Sequence, residues 1–147
     1  MLDKIIGRLK KMTAAPAPSP EVKRLAAAAL MVEAARRDED FAAGERAAIT
    51  RIVSKHFHLD PEEAKTLVEV AENRQRLPYG ETIFTRTVKD SFSADERKDV
   101  VRMMWEVAFA DGTLKHTESS MIHRLSQEIG LDKETCEAVR QEVAKGA

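Results

Sequence analysis

A chain with one cysteine cannot hold an internal disulfide, and Cys136 is the only one here. The sequence therefore suits a reducing, cytoplasmic compartment. Apolar runs are short, and none approaches the roughly 20 residues that a spanning helix needs. A strong charge of one sign is missing too. The formal net charge of -1 gives no global field to draw in nucleic acid, so no nucleic-acid partner is expected. Glycine and proline are scarce, at six and five, and no stretch alternates with period two for long enough to make a strand. Also absent are a glycine-rich phosphate loop, a Ser-His-Asp grammar and an HExxH helix. No catalytic residue is nominated, and the chain is expected not to be an enzyme.

What remains is 33% charged and 43% apolar residues in a length that suffices for one buried core, the balance of a helical domain. The pattern predicts an all-α fold of about seven helices behind a separate N-terminal region. Leu2, Ile5, Ile6, Leu9 and Met12 share one face of a short helix whose other residues include Lys4, Arg8, Lys10 and Lys11. Pro16 and Pro18 then break the helix, so residues 1–19 read as a basic amphipathic segment and a tether, and 20–147 as the body. Residues 1–12 are expected to contact a protein partner or a membrane surface peripherally, or else to pack back on the domain or stay disordered.

Within the body, Ser19-Pro20 opens a first helix over 20–37 that buries Leu25, Ala28, Ala29, Val32 and Ala35. A second follows Gly44 and uses Ile49, Ile52, Val53 and Phe57. Asp60-Pro61-Glu62-Glu63 opens a third, running to Arg76, and a shorter fourth over 80–90 buries Ile83, Phe84 and Val88. Ser93-Ala94-Asp95-Glu96 is a capping box for a fifth, with Val100, Val101, Met104, Trp105 and Ala108 inside. A sixth over 115–129 buries Ile122, Leu125 and Ile129 and stops at Gly130. Asp132 caps the seventh, which buries Cys136 and Val139.

The body also repeats itself. Met31, Glu33, Ala35, Asp38, Glu45, Ile49 and Arg51 recur 73 positions later as Met104, Glu106, Ala108, Asp111, Glu118, Ile122 and Arg124. Leu59-Asp60 matches Leu131-Asp132 at an offset of 72, which places a one-residue change between the second or sixth helix and the next cap. Helices one to three and five to seven thus form two pseudo-symmetric units.

The repeat carries an acidic triplet, Glu-x4-Asp-x6-Glu. Glu33 and Glu106 fall in the last turn of a helix, near the negative end of its dipole, with Asp38 and Asp111 just beyond. Glu45 and Glu118 sit one turn into the next helix. Three carboxylates around one turn suit a hard cation such as Ca²⁺ or Mg²⁺. The same acids also serve as caps and turn formers, and Arg37, Arg46 or Arg51 would neutralise the first triplet without any metal. The EF-hand spacing is absent. His56, His58, His116 and His123 lack zinc spacing and read as surface or interhelical polar groups. Cys136 reads as a buried thiol, and Trp105 with Met103-Met104 as core.

The second triplet, within Met104-Trp105-Glu106-Val107-Ala108-Phe109-Ala110-Asp111-Gly112-Thr113-Leu114 and completed by Glu118, resembles the TerB-like family, that of the tellurite-resistance protein TerB and the N-terminal domain of the co-chaperone DjlA. The resemblance covers about residues 20–145. It implies a seven-helix fold, a divalent-metal site on Glu33, Asp38, Glu45, Glu106, Asp111 and Glu118, and a link to tellurite and envelope stress responses. The first copy departs from the pattern: Glu39 stands where glycine usually follows the Asp, and Arg36-Arg37 precede it. The second copy is therefore the better candidate. A metal-free scaffold that recruits protein partners is the other reading of the same acids.

Overall fold

The computed structural model describes residues 19–35, 43–75, 77, 80–110 and 116–146, apart from the side chains of 43, 44, 80, 81 and 116–118. The expected helix and tether in residues 1–18 lie outside them. Seven helices follow in order: α1 (Pro20–Ala35), α2 (Ala43–Phe57), α3 (Pro61–Gln75), α4 (Gly80–Ser91), α5 (Ala94–Phe109), α6 (His116–Glu128) and α7 (Lys133–Gly146). No strand occurs among the described residues. None of the described helices is long and apolar enough to cross a membrane.

Local chemistry sets where the helices start. Ser19 Oγ accepts from Val22 N at 3.3 Å ahead of Pro20, and Asp60 Oδ1 accepts from Glu63 N at 2.8 Å ahead of Pro61. At α5 the capping box is complete: Glu96 N donates to Ser93 Oγ, and Ser93 N donates to the Glu96 carboxylate at 2.9 Å. Asp132 caps α7 through Thr135 N at 2.7 Å. These bonds satisfy amides that a helix start would otherwise leave unpaired.

Helix α1 is central. It packs against α2, α3, α4, α5 and α6, and nine of its residues from Ala26 to Ala35 are buried. The expected stripe is therefore too narrow. Only Leu25 among the five nominated positions is half-buried, and Ala26, Ala27, Leu30, Met31 and Ala34 are buried as well. Four consecutive alanines present little bulk, so neighbouring helices can approach on every side. In α4 the stripe is rotated. Phe84, Thr85 and Val88 face inward, whereas Ile83 is 57% exposed. The other nominated core positions are buried except Phe57, which is half-buried against the core.

The packing is compatible with a two-fold relation between the units. Helix α1 contacts α2 and α6, and α5 contacts α6 and α2. Lys23 and Glu96, 73 residues apart, form a salt bridge of 2.9 Å between α1 and α5. A position that touches its own counterpart is what an isologous pairing produces near its axis. The helix ends agree. In α2, His58 takes φ +55° and Leu59 N donates to Ser54 O at 3.1 Å; after α6, Gly130 takes φ +92° and Leu131 N donates to Ser126 O at 3.0 Å. Both are left-handed caps with the amide of the following residue reaching back five positions. This equivalence pairs Ser54 with Ser126, so the change of offset falls inside the helix between Arg51 and Ser54. The connection to the next cap, where the sequence placed it, is conserved in length.

Two predictions follow from the caps. His58 occupies a conformation that costs a residue with a Cβ about 1–2 kcal/mol relative to glycine. His58→Gly is therefore expected to raise unfolding stability by about 0.5–1 kcal/mol in urea denaturation, with no gain expected at Gly130. The Glu96 carboxyl is held below its ordinary value of 4.5, first by the Ser93 backbone N–H and then by the Lys23 ammonium. A depressed native value means stability present above the unfolded value and lost as pH falls through the native one. Glu96→Gln should lower stability at pH 7 by about 0.5–1 kcal/mol, a modest figure because the pair is partly exposed. It should also flatten the acid limb of a stability profile below about pH 4.5.

Candidate functional site

The two repeated glutamates meet different surroundings, although each ends an equivalent helix. Glu33, in the last turn of α1, keeps a side chain only 14% exposed. Gln75 Nε2, from the end of α3, donates to its Oε2. Arg124 Nη2, from α6, lies 3.8 Å from its Oε1. Beside them Glu72 is buried and gripped by Arg46, whose Nε and Nη2 donate to both carboxylate oxygens at 2.9–3.1 Å. Bidentate pairing of this kind makes a buried carboxylate tolerable. Side chains from α2, α3 and α6 thus form a polar layer around the end of α1.

Glu106, in the last turn of α5, is more open at 23% exposed, and His56 from the end of α2 places Nε2 3.2 Å from both carboxylate oxygens. One N–H shared across two oxygens suits either the Nε2–H tautomer or the imidazolium. Glu106 lines a cavity of about 710 Å³ between α2, α5 and α7. Its walls include exposed Arg51 and Lys55, with Ile52, Phe109 and Val143 as apolar surface. Arg102, on the same wall, bonds Asp99 at 2.7 Å and Glu142 at 3.0 Å.

The arginines are exchanged between the repeats. Arg51 and Arg124 are counterparts, yet Arg124 reaches Glu33 of the first unit and Arg51 lines the cavity with Glu106 of the second. The sequence reading sought the first copy's neutralising cation among Arg37, Arg46 and Arg51. Arg124 was visible as a repeated residue, but its partner was not. Arg46 holds Glu72 among its contacts, Arg51 lines the cavity with Glu106, and Arg37 lies outside the described residues. The α3 layer likewise has no twin, since the offset of 72 that aligns Asp60 with Asp132 sets Ala144 and Ala147 opposite Glu72 and Gln75.

Of the six nominated ligands, Glu33 and Glu106 are placed as above, and Glu45 is half-buried in the first turn of α2. Asp38, Asp111 and the side chain of Glu118 lie outside the described residues. Among the described residues no three His, Cys, Asp or Glu side chains come together as a metal site would require. The donors present at the second turn are a carboxylate and an imidazole nitrogen, which fit a divalent ion as two of its ligands.

The remaining chemical groups are structural. Cys136 is buried, and burial pushes its thiol above the usual range, partly offset by Ser126 and Trp105. His123 pairs with Glu137 at 2.8 Å and stacks edge-on against Trp105, which is fully buried. Both observations agree with the roles expected of an interhelical histidine and a core tryptophan.

Comparison with known proteins gives one finding. The family model of the tellurite resistance protein TerB matches residues 24–141, from within α1 to within α7. No curated protein and no solved structure matches the chain.

The polar layer can be tested by a double-mutant cycle. Arg46→Met removes the bidentate partner of a buried carboxylate and is expected to cost about 1–3 kcal/mol, whereas Arg46→Met with Glu72→Leu should recover part of that loss. A coupling near zero in urea denaturation would show that the pair does not stabilise the fold.

Proposed function

Because this chain belongs to the TerB family of tellurite resistance proteins, we propose that it is a non-enzymatic helical module of a tellurite or chemical-stress response that binds a divalent cation at its second acidic turn. The observation that supports this choice of turn is the contrast between the two glutamates. Gln75 and Arg124 occupy Glu33, while Glu106 opens on a cavity with one imidazole beside it. Glu106, Asp111 and Glu118 would hold the ion, with His56 either released from Glu106 or joining as a nitrogen donor. A bound ion supplies positive charge at the end of α5, where the helix dipole and the carboxylates concentrate negative charge. The residues already present do part of that work. His56 orients Glu106, and the bond between Arg102 and Glu142 fixes α7 against α5.

The proposed partners are proteins, since apolar and charged side chains alternate on the cavity wall as they do at interfaces. A metal-free scaffold has an observation of its own: His56 and Arg102 pair with Glu106 and Glu142.

Calorimetric titration of the full chain with Ca²⁺, Mg²⁺, Mn²⁺ and Zn²⁺ separates the two. Binding is expected to weaken at least about tenfold in Glu106→Ala and to change little in Glu33→Ala. Preference for Zn²⁺ or Mn²⁺, lost in His56→Gln, would make the histidine a ligand. No heat with any ion at millimolar concentration, or equal loss in both glutamate variants, would remove the cation from the proposal and leave the scaffold.

A further inference from the structure

A second cavity lies away from both acidic turns, between the first turns of α1 and the length of α3. It measures about 510 Å³. Leu25, Leu59, Leu67 and Val70 give it an apolar floor, and all four are only half-buried. Glu21, Glu62 and Glu63 stand on its rim against a single cation, Arg24. The result is a groove that is apolar inside and acidic outside.

The chain itself carries a segment of the opposite character. Leu2, Ile5, Ile6, Leu9 and Met12 lie on one helical face, and Lys4, Arg8, Lys10 and Lys11 outnumber Asp3 on the remainder. We propose that residues 1–12 dock as an amphipathic helix in this groove of the same chain, with the apolar face on Leu25, Leu59, Leu67 and Val70 and the basic residues against the acidic rim.

Three observations favour this occupant. The first is charge, since a net basic segment meets a net acidic rim. The second is length. From Glu62 to Val70 the floor runs about 12 Å along α3, and from Leu2 to Met12 an apolar stripe runs about 15 Å, at the helical rise per residue. The third is reach. The stretch from Met12 to Ser19 spans at most about 25 Å when extended, and Glu21 on the groove wall is only two residues beyond Ser19. A tether this short gives an effective concentration on the order of millimolar, so even a weak intrinsic contact would be occupied. Docking there also covers half-buried leucines that otherwise face water.

Hydrogen exchange on the full chain, read on peptides from residues 1–12, tests the proposal. Amides from about Ile5 to Met12 should exchange at least about tenfold more slowly than a random coil. Leu9→Asp, which leaves the groove and the described body untouched, should return them to the random-coil rate. Leu67→Asp should do the same, with helicity followed by circular dichroism to confirm that the body remains folded. Lys10→Glu should weaken protection, and adding Glu62→Lys should restore it. An unprotected segment in the unaltered chain overturns the proposal, as does protection that survives both aspartate variants. Protection that arises only when phosphatidylglycerol vesicles are added would replace it with a membrane-surface role.

Discussion

Helix α1 is surrounded, and that constraint organises the rest of the domain. Five helices pack on it, which requires small side chains at the contacts. The run Ala26–Ala29 supplies them, with relative exposures of 0–1%. Alanine buries little area per residue, so α1 stabilises the fold by letting its neighbours come close rather than through its own bulk. The second consequence concerns Glu33. A carboxylate at the end of a surrounded helix must be paired or it is costly, and the chain meets this need from two distant places, Gln75 on α3 and Arg124 on α6.

Helix α5 is the counterpart of α1 but lives under a looser constraint. It fills its inner face with Val100, Val101, Met103, Met104 and Trp105, while Arg102 and Glu106 stay half-exposed on the other side. Helix α4 accounts for part of the difference. It packs on α1, α3 and α6, and so covers the first unit more than the second. The outer side of α5 is left to the cavity shared with α2 and α7. The two repeated glutamates thus differ in setting, Glu33 among polar partners and Glu106 on the wall of a cavity.

Much of this was legible in the sequence because helix starts are local. Ser19-Pro20, Asp60-Pro61, Ser93 to Glu96 and Asp132 each carry their instruction within four residues, and all four form the expected bonds. The apolar period identified most of the core for the same reason. It misplaced Ile83, since a short amphipathic helix can rotate by one position and still bury Phe84 and Val88. It understated α1, since an all-alanine stretch has no contrast between faces from which to read a buried side. The pairing of Glu33 with Arg124, and of Glu106 with His56, was out of reach altogether. Those contacts span 91 and 50 positions, and no local pattern records which arginine faces which glutamate.

The repeat nevertheless contained the rule that governs these contacts. When two similar units pair around a two-fold axis, a residue of one meets the partner site of the other, and the reverse contact occurs with the roles exchanged. Lys23 against Glu96 marks positions that meet their own counterparts; Arg124 reaches Glu33, and Arg51 lines the same cavity as Glu106, which is compatible with such a relation. The polar layer from Glu72 and Gln75 breaks this equality, because only the first unit has it. Glu33 is thereby held at 14% exposure among polar partners, and Glu106 is the acid that lines a cavity. The sequence at the end of α3 thus distinguishes two otherwise repeated glutamates.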